Sequence, residues 1–171
     1  MFLTIGHSSR PIVTFLELLT AHGVRTLADV RTIPRSRHNP QFEQHALAAS
    51  LEAAGIAYRH MPDLGGLRRP RPDSINTAWK NASFRGYADY MQTPTFETGL
   101  EALIALAERG SVAVMCAEAV PWRCHRSLIA DALLARGIEA REIVSPTVTR
   151  AHRLTSWAAV VDGRVTYPGV V

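Results

Sequence analysis

The densest run of reactive side chains in the sequence is Met115-Cys116-Ala117-Glu118, followed by Cys124-His125-Arg126-Ser127. Three chemistries compete for it. A thiol at a helix N-terminus beside Arg has its thiolate favoured, because the helix dipole and the cation both prefer the charged form, and Cys124 is the better placed for this. Cys116 ends a strand and reads equally well as an ordinary buried thiol. A strand, a Cys, a loop and an Arg-Ser helix start also outline the anion loops of rhodaneses and cysteine phosphatases. Here, however, nine residues separate Cys116 from Arg126 and six separate it from Arg123, more than one anion-wrapping turn needs. Cys116, Glu118, Cys124 and His125 could supply metal ligands, but no C-x-x-C pair or second His-rich element completes a zinc pattern, so no metal is expected. The preferred reading makes Glu118 a general acid or base and gives His125 or Arg126 the recognition of phosphate.

Other polar residues stand where apolar runs end. Gly6-His7-Ser8-Ser9-Arg10 offers backbone N–H groups, two hydroxyls and an Arg at a helix start, which suits an anion. It lacks the spacing of a dinucleotide fingerprint or a P-loop, so no nucleotide cofactor is expected. In the alternative reading a serine merely caps the helix. Asp29-Val30-Arg31 is followed by Arg35 and Arg37, so Asp29 either aims Arg31 at a ligand or forms a structural ion pair with it. Arg59-His60 closes a third apolar run. Beyond it, Gly65-Gly66, Arg68, Arg69, Arg71, Trp79, Lys80, Arg85, Tyr87 and Tyr90 interleave basic and aromatic residues, the composition that holds phosphates and stacked bases. The bland account is that the aromatics pin the loop and the arginines are solvated.

The elements that must position these residues follow from periodicity. Strands are expected at Phe2 to Ile5, Thr26 to Val30, Ala57 to Met61, Val112 to Cys116 and Glu139 to Val144. Helical faces are carried by Ile12, Phe15, Leu16 and Leu19; by Phe42, Leu47 and Leu51; by Phe96, Leu100, Leu103 and Leu106; and by Leu128, Ile129, Ala132 and Leu133. Gly23, Gly55 and Gly137, with Gly110 as a looser case, each stop a helix before a strand. Ser9 and Thr93 are candidate N-caps, and Pro11 and Pro94 suit first turns. Strand-helix alternation argues a parallel sheet covered on both faces. In such sheets ligands bind outside the carboxyl ends of the strands, where these polar residues fall.

Length and charge set the frame. The chain has 171 residues, 47% hydrophobic and 20% charged, the composition of a globular domain. Of its 19 basic residues only Lys80 is a lysine. From Arg31 to Arg85, eight arginines and Lys80 face four acids, a local +5 that exceeds the whole-chain +4. The surplus suggests an anionic partner. Two cysteines make no disulfide framework, the N-terminus has no signal-peptide pattern, and no apolar run would span a bilayer. A soluble, cytoplasmic protein with no membrane partner is the expectation.

An ordered set of residues then resembles a known family. Thr4-Ile5-Gly6-His7-Ser8, Asp29-Val30-Arg31 with Pro34, Ser36 and Phe42, Gly55-Ile56-Ala57-Tyr58, Leu64-Gly65-Gly66, Gly86-Tyr87-Ala88 with Tyr90-Met91, and Met115-Cys116-Ala117-Glu118 through Cys124-His125-Arg126 look like the family catalogued as domain of unknown function 488. The resemblance spans residues 2 to 144 and implies a bacterial-type α/β domain. It adds Tyr58 to the site residues. It also leads one to expect a His just before Ile143, where this chain has Glu142, so no His-dependent role is carried over there.

The expectation is one α/β domain over residues 1–171, with a mainly parallel sheet flanked by helices on both faces. An insertion follows the third strand, at about 62–93, and a C-terminal extension at about 145–171 ends in a hairpin. Candidate catalytic residues are Glu118, His7, Cys124 and His125. Candidate ligand contacts are Gly6, Ser8, Ser9, Asp29, Arg31, Arg35, Tyr58, His60, Gly65, Gly66, Arg85, Tyr87, Cys116 and Arg126. The leading function is binding, with processing, of a phosphate-bearing small molecule or nucleic acid at the sheet's C-terminal edge. The alternatives are a non-catalytic nucleic-acid-binding module and a cysteine-dependent redox or metal-binding protein.

Overall fold

Parallel strands that read as near-continuous apolar runs need cover on both faces, and this chain supplies it. The computed structural model describes residues 1–169. A six-stranded sheet has the order β3-β2-β4-β1-β5-β6. Its strands are β1 (Phe2–Gly6), β2 (Val24–Asp29), β3 (Ala57–His60), β4 (Ser111–Cys116), β5 (Ala140–Ile143) and β6 (Thr149–Ala151). The first five are parallel, and β6 runs antiparallel to β5. Helices α1 (Ile12–Ala21) and α2 (Gln44–Ala53) cover one face; α3 (Ala82–Tyr90), α4 (Pro94–Leu106) and α5 (Arg126–Ala135) cover the other. A two-stranded antiparallel hairpin, β7 (Ala159–Val161) and β8 (Arg164–Thr166), ends the described chain. The architecture is the expected mixed α/β fold.

Side-chain alternation divides the core. On β4, Val112, Val114 and Cys116 face α5, and Ala113 and Met115 face α1 and α2. On β1, Leu3 and Ile5 join the α1/α2 side; Ala28 on β2 and Val30 just beyond its end join the α5 side, while Leu27 faces the other way. β3 is an edge strand, half exposed, so it is not the buried apolar strand that its sequence suggests.

The helix ends follow local chemistry with one exception. Gly55 and Gly137 adopt φ of +75° and +77° after α2 and α5, a left-handed conformation that a side chain would strain. Thr93 caps α4, its hydroxyl accepting from the Phe96 amide, with Pro94 at the first helical position. Ser9 caps nothing: a tight turn in which the Arg10 amide donates to the His7 carbonyl leaves Pro11 as the N-cap of α1.

The insertion after β3 is more ordered than a loop. It contains α3, capped by Asn81, whose side chain accepts from the Ser83 and Phe84 amides. The buried Asp89 carboxylate accepts from the Arg71 amide, the Ser74 hydroxyl and the Asn76 amide group, holding the Arg-Pro run against the domain. The C-terminal extension is tied down by another buried carboxylate. Asp131 on α5 accepts from the Thr155 amide and hydroxyl and the Tyr167 hydroxyl, and pairs with His152. Among the described residues no helix is long and apolar enough to cross a membrane.

Candidate functional site

The same alternation that divides the core divides the polar residues at the strand ends. Cys116, continuing Val112 and Val114, points to the α5 side, where Cys124 and His125 lead into α5 and Arg126 is its first residue. Asp29, continuing Leu27, and His7, continuing Ile5, point to the α1/α2 side. One polar sheet edge in the sequence thus becomes two clusters in space.

On the α5 side lies a cleft of about 440 Å³. Cys116, Ala117 and Glu118 border it from the end of β4, Arg123, Cys124 and His125 from the start of α5, and Arg31, Thr32, Ile33 and Arg35 from the chain after β2. The insertion closes it with Gly66, Leu67, Asn81, Ser83, Phe84 and Tyr87. Arg35, Arg123 and Glu118 are exposed. Neither arginine makes a side-chain hydrogen bond or ion pair among the described residues. Asn81 and His125 are the N-cap residues of α3 and α5, so the positive ends of two helices open on the cleft.

The two cysteines meet at its floor. Their sulfurs are joined as a disulfide across a Cα separation of 7.1 Å, leaving no free cysteine among the described residues. This corrects the reading of two independent thiols: the loop after β4 folds back through a 3₁₀ turn at Pro121–Arg123 and returns the start of α5 to the strand end. Arg126 Nη1 donates to Cys116 Sγ at 2.8 Å. His125 Nε2 lies 3.0 Å from the Val30 carbonyl, which can only accept, so Nε2 carries the ring proton. Nδ1 is then an acceptor, 3.7 Å from Cys124 Sγ. Burial lowers the His125 pKa to about 4, against the opposing pull of the Val30 carbonyl, so the ring is neutral at pH 7. The ring packs on Gly66, whose added Cβ would lie 3.1 Å from Nδ1.

Arg126 does not face the cleft. It is fully buried and pairs with Glu142 at 2.7 Å. It also donates to the Glu118 and Ala119 carbonyls. Glu142, standing where the family resemblance would place a His, accepts in addition from the Thr4 hydroxyl. A guanidinium was needed here to tie the strand end, loop and β5 together at once; an ammonium has no such fork.

The second cluster is a closed knot. Asp29 is fully buried and accepts from the Arg31 amide, Nε and Nη2, the last at 2.7 Å, and from the Tyr58 hydroxyl at 2.6 Å. Arg31 Nη1 donates to the Phe42 carbonyl and reaches His7 Nε2 at 3.4 Å. His7 Nδ1 donates to the Ser8 carbonyl, and the ring stacks on Phe42 at 4.3 Å. Burial lowers the His7 pKa, with Arg31 adding to the effect. Tyr58 is pushed up by burial and by the adjacent Asp29 carboxylate. Arg31 therefore borders the cleft with its guanidinium already committed on the other side.

The turn after β1 lies outside the cleft for a steric reason. A Cβ on Gly6 would fall 1.6 Å from the Glu118 carbonyl oxygen, so the loop after β4 crosses directly over the end of β1. The His7 and Ser8 amides pair with the Cys116 and Ala117 carbonyls and are not free for an anion. Ser9 is exposed away from the cleft.

Of the expected residues, Glu118, Cys116, Cys124, His125, Arg31, Arg35, Gly66 and Tyr87 share the cleft, though the Tyr87 hydroxyl is spent on the Leu64 carbonyl. Gly6, Ser8, Ser9, His7, Asp29, Tyr58, His60, Gly65, Arg85 and Arg126 do not border it. His60 bonds the Arg31 carbonyl, Arg85 the Trp79 carbonyl, and Gly65 packs on Thr32. Sequence reasoning weighed Arg123 only as an anion-loop arginine and set it aside on spacing, and it passed over Asn81 and Ser83. The signal for the last two was the Asn81-x-Ser83 helix start, hidden in a stretch read as loop. Among the described residues no three His, Cys, Asp or Glu side chains converge as metal ligands.

No curated protein and no solved structure matches the chain. Residues 11–133 match a family model described as Domain of unknown function DUF488, so the match takes in both arms of the cleft and stops short of β1 and of everything after α5. With most of its length inside that match, the chain belongs to the DUF488 family.

Proposed function

We propose that the cleft binds a phosphate-bearing ligand, a nucleotide or a nucleic-acid phosphate, and that Glu118 acts on it as acid or base. The observation that carries this reading is that two exposed, uncommitted guanidinium groups, Arg35 and Arg123, border the same cleft as the N-terminal turns of α3 and α5. Each helix end adds roughly half a positive charge, and guanidinium forks match phosphate oxygens. Phe84 supplies an aromatic wall for a base. Glu118 is the carboxylate at the rim, exposed to solvent.

The test is amide chemical-shift mapping of the full chain with inorganic phosphate and with mononucleotides. Shifts at Asn81 to Phe84 and Glu118 to His125, lost in R35Q/R123Q, support the reading. Shifts that persist in that variant, or none at all, overturn it. Glu118→Gln should abolish phosphoester turnover and spare binding. Binding that survives loss of Glu118 and both cysteines, with no turnover, identifies a non-catalytic module.

The joined sulfurs favour a second reading, in which the pair does thiol-disulfide exchange. A small thiolate would attack one sulfur of the pair to give a mixed disulfide, and a second would release the reduced dithiol and a small-molecule disulfide. Two electrons and two protons are thereby taken up by Cys116 and Cys124. Thiol counts that do not change on mild reduction would discard it.

A further inference from the structure

A larger cleft, of about 560 Å³, lies on the other side of the loop after β4. We infer that it binds a nucleobase together with its phosphate. All three tryptophans of the chain, Trp79, Trp122 and Trp157, border it. Their arrangement is not that of a packing cluster. Trp79 is the anchored wall, with its ring 5.0 Å from Phe84 and 5.4 Å from Tyr167. Trp157 meets it edge-on at 5.1 Å yet is 47% exposed, and Trp122 is 65% exposed. Two large indoles presented to solvent around a concavity offer faces for a flat ring.

The charges in the cleft select an anionic partner. Glu142 is neutralised by Arg126, and His152 is held by Asp131 at 2.7 Å. Arg150 and Arg153 are both exposed and have no side-chain partner among the described residues. The uncompensated charge is therefore positive and carried by guanidinium groups, which bind phosphate and also stack. The Trp79 Nε1–H is buried without a hydrogen-bond partner among the described residues, so the wall carries a donor that the protein itself leaves unsatisfied. The volume falls within the roughly 300–1,000 Å³ of small-molecule sites. Stacking faces, free guanidinium groups and a concave, half-open volume together match one chemistry, a base bearing a phosphate. Its source is either a free nucleotide or one nucleotide of a single strand.

The inference is independent of the first cleft, because the two share no lining residue. Pro121 and Trp122 border this one, and Arg123 and Cys124 border the other.

Because every tryptophan borders the cleft, intrinsic fluorescence reports on it directly. The full chain would be titrated with AMP, with CMP, with short oligoadenylate and oligothymidylate, and with inorganic phosphate as control. Saturable quenching by mononucleotides assigns the free nucleotide as source; quenching by the oligonucleotides alone assigns the single strand. Either supports the proposal when W157A weakens the Kd roughly 5- to 150-fold, the loss expected for one stacking partner. R150Q/R153Q, which keeps every reporter, should weaken it at least fivefold, and R35Q/R123Q should leave it unchanged. Absence of quenching, equal quenching by inorganic phosphate, or quenching that responds to R35Q/R123Q and not to R150Q/R153Q overturns the proposal.

Discussion

His125 makes the stability of this protein fall in mild acid by an amount that can be worked out and isolated. Its ring is buried, donates from Nε2 to the Val30 carbonyl, and has a pKa lowered from 6.5 to about 4, chiefly by burial. Between these values the unfolded chain binds a proton that the folded protein does not. The stabilisation is therefore complete above the unfolded value and is lost as pH falls toward the folded one. Integrating the difference gives a loss of about 2 kcal/mol between pH 7 and pH 5, and about 3 kcal/mol by pH 4. His125→Gln keeps an N–H for Val30 and does not titrate in this range. The expected outcome is that urea unfolding of the parent protein, followed by fluorescence, loses about 2 kcal/mol more than that of H125Q on going from pH 7 to pH 5. In thermal melts the same difference is roughly 4–8 °C. His7 titrates in the same direction but is present in both proteins and cancels. Parallel pH profiles for the two would show that the His125 ring is not held neutral, and the account of its buried hydrogen bond would be wrong.

Three other substitutions probe the framework. Gly6→Ala places a methyl 1.6 Å from the Glu118 carbonyl oxygen, so the loop must lift; a loss of roughly 1–3 kcal/mol or more is expected, with amide shifts at Glu118 and Ala119, and an unperturbed loop would contradict the crossing. Arg126→Met strands the buried Glu142 and should cost about 3–5 kcal/mol, whereas R126M/E142L should lose less than the sum of its single variants; strict additivity in a double-mutant cycle would deny the coupling. Asp131→Ala removes the acceptor for Thr155, His152 and Tyr167. A loss of roughly 3 kcal/mol should come with faster proteolysis within residues 146–158, and unchanged cleavage would mean that the extension is held by packing alone.

The fold was readable from the sequence because its signals are local. Apolar period, the glycines after α1, α2 and α5, and Thr93-Pro94 each act over a few residues and agree with one another. Two elements escaped for the opposite reason. α3 has few apolar residues at helical spacing, so its strongest mark was the Asn81 cap, and β6 exists only because β5 offers it an edge. The site was readable in residue type but not in side. Asp29 and Cys116 both end strands, and only the register of alternation sends one under α2 and the other to α5. The crossing over Gly6 was likewise hidden, because a carbonyl 112 positions away leaves no trace in the local pattern beyond the glycine itself.

The arginine bias acquires a physical account from these positions. Arg31 and Arg126 are both buried, and each serves several acceptors in different directions: Asp29, Phe42 and His7 for one, and Glu142, Cys116, Glu118 and Ala119 for the other. A lysine at either place would leave most of those acceptors without a donor, at a cost of roughly 1–3 kcal/mol for each buried group. The arginines that border the two clefts without a side-chain partner are a different set, Arg35 and Arg123 at one and Arg150 and Arg153 at the other, and three of these four lie outside the stretch that carries the local +5. Charge density along the chain therefore points to the insertion, where Arg68 stacks on Tyr90 and Arg71 pairs with Asp73. At the two clefts, on either side of the loop that follows β4, uncommitted guanidinium groups stand in pairs, Arg35 with Arg123 and Arg150 with Arg153. Substituting the mid-chain arginines Arg69 and Arg71 should accordingly change anion binding less than substituting Arg123 or Arg153, and the reverse order in a salt-dependent binding assay would move the site to the insertion.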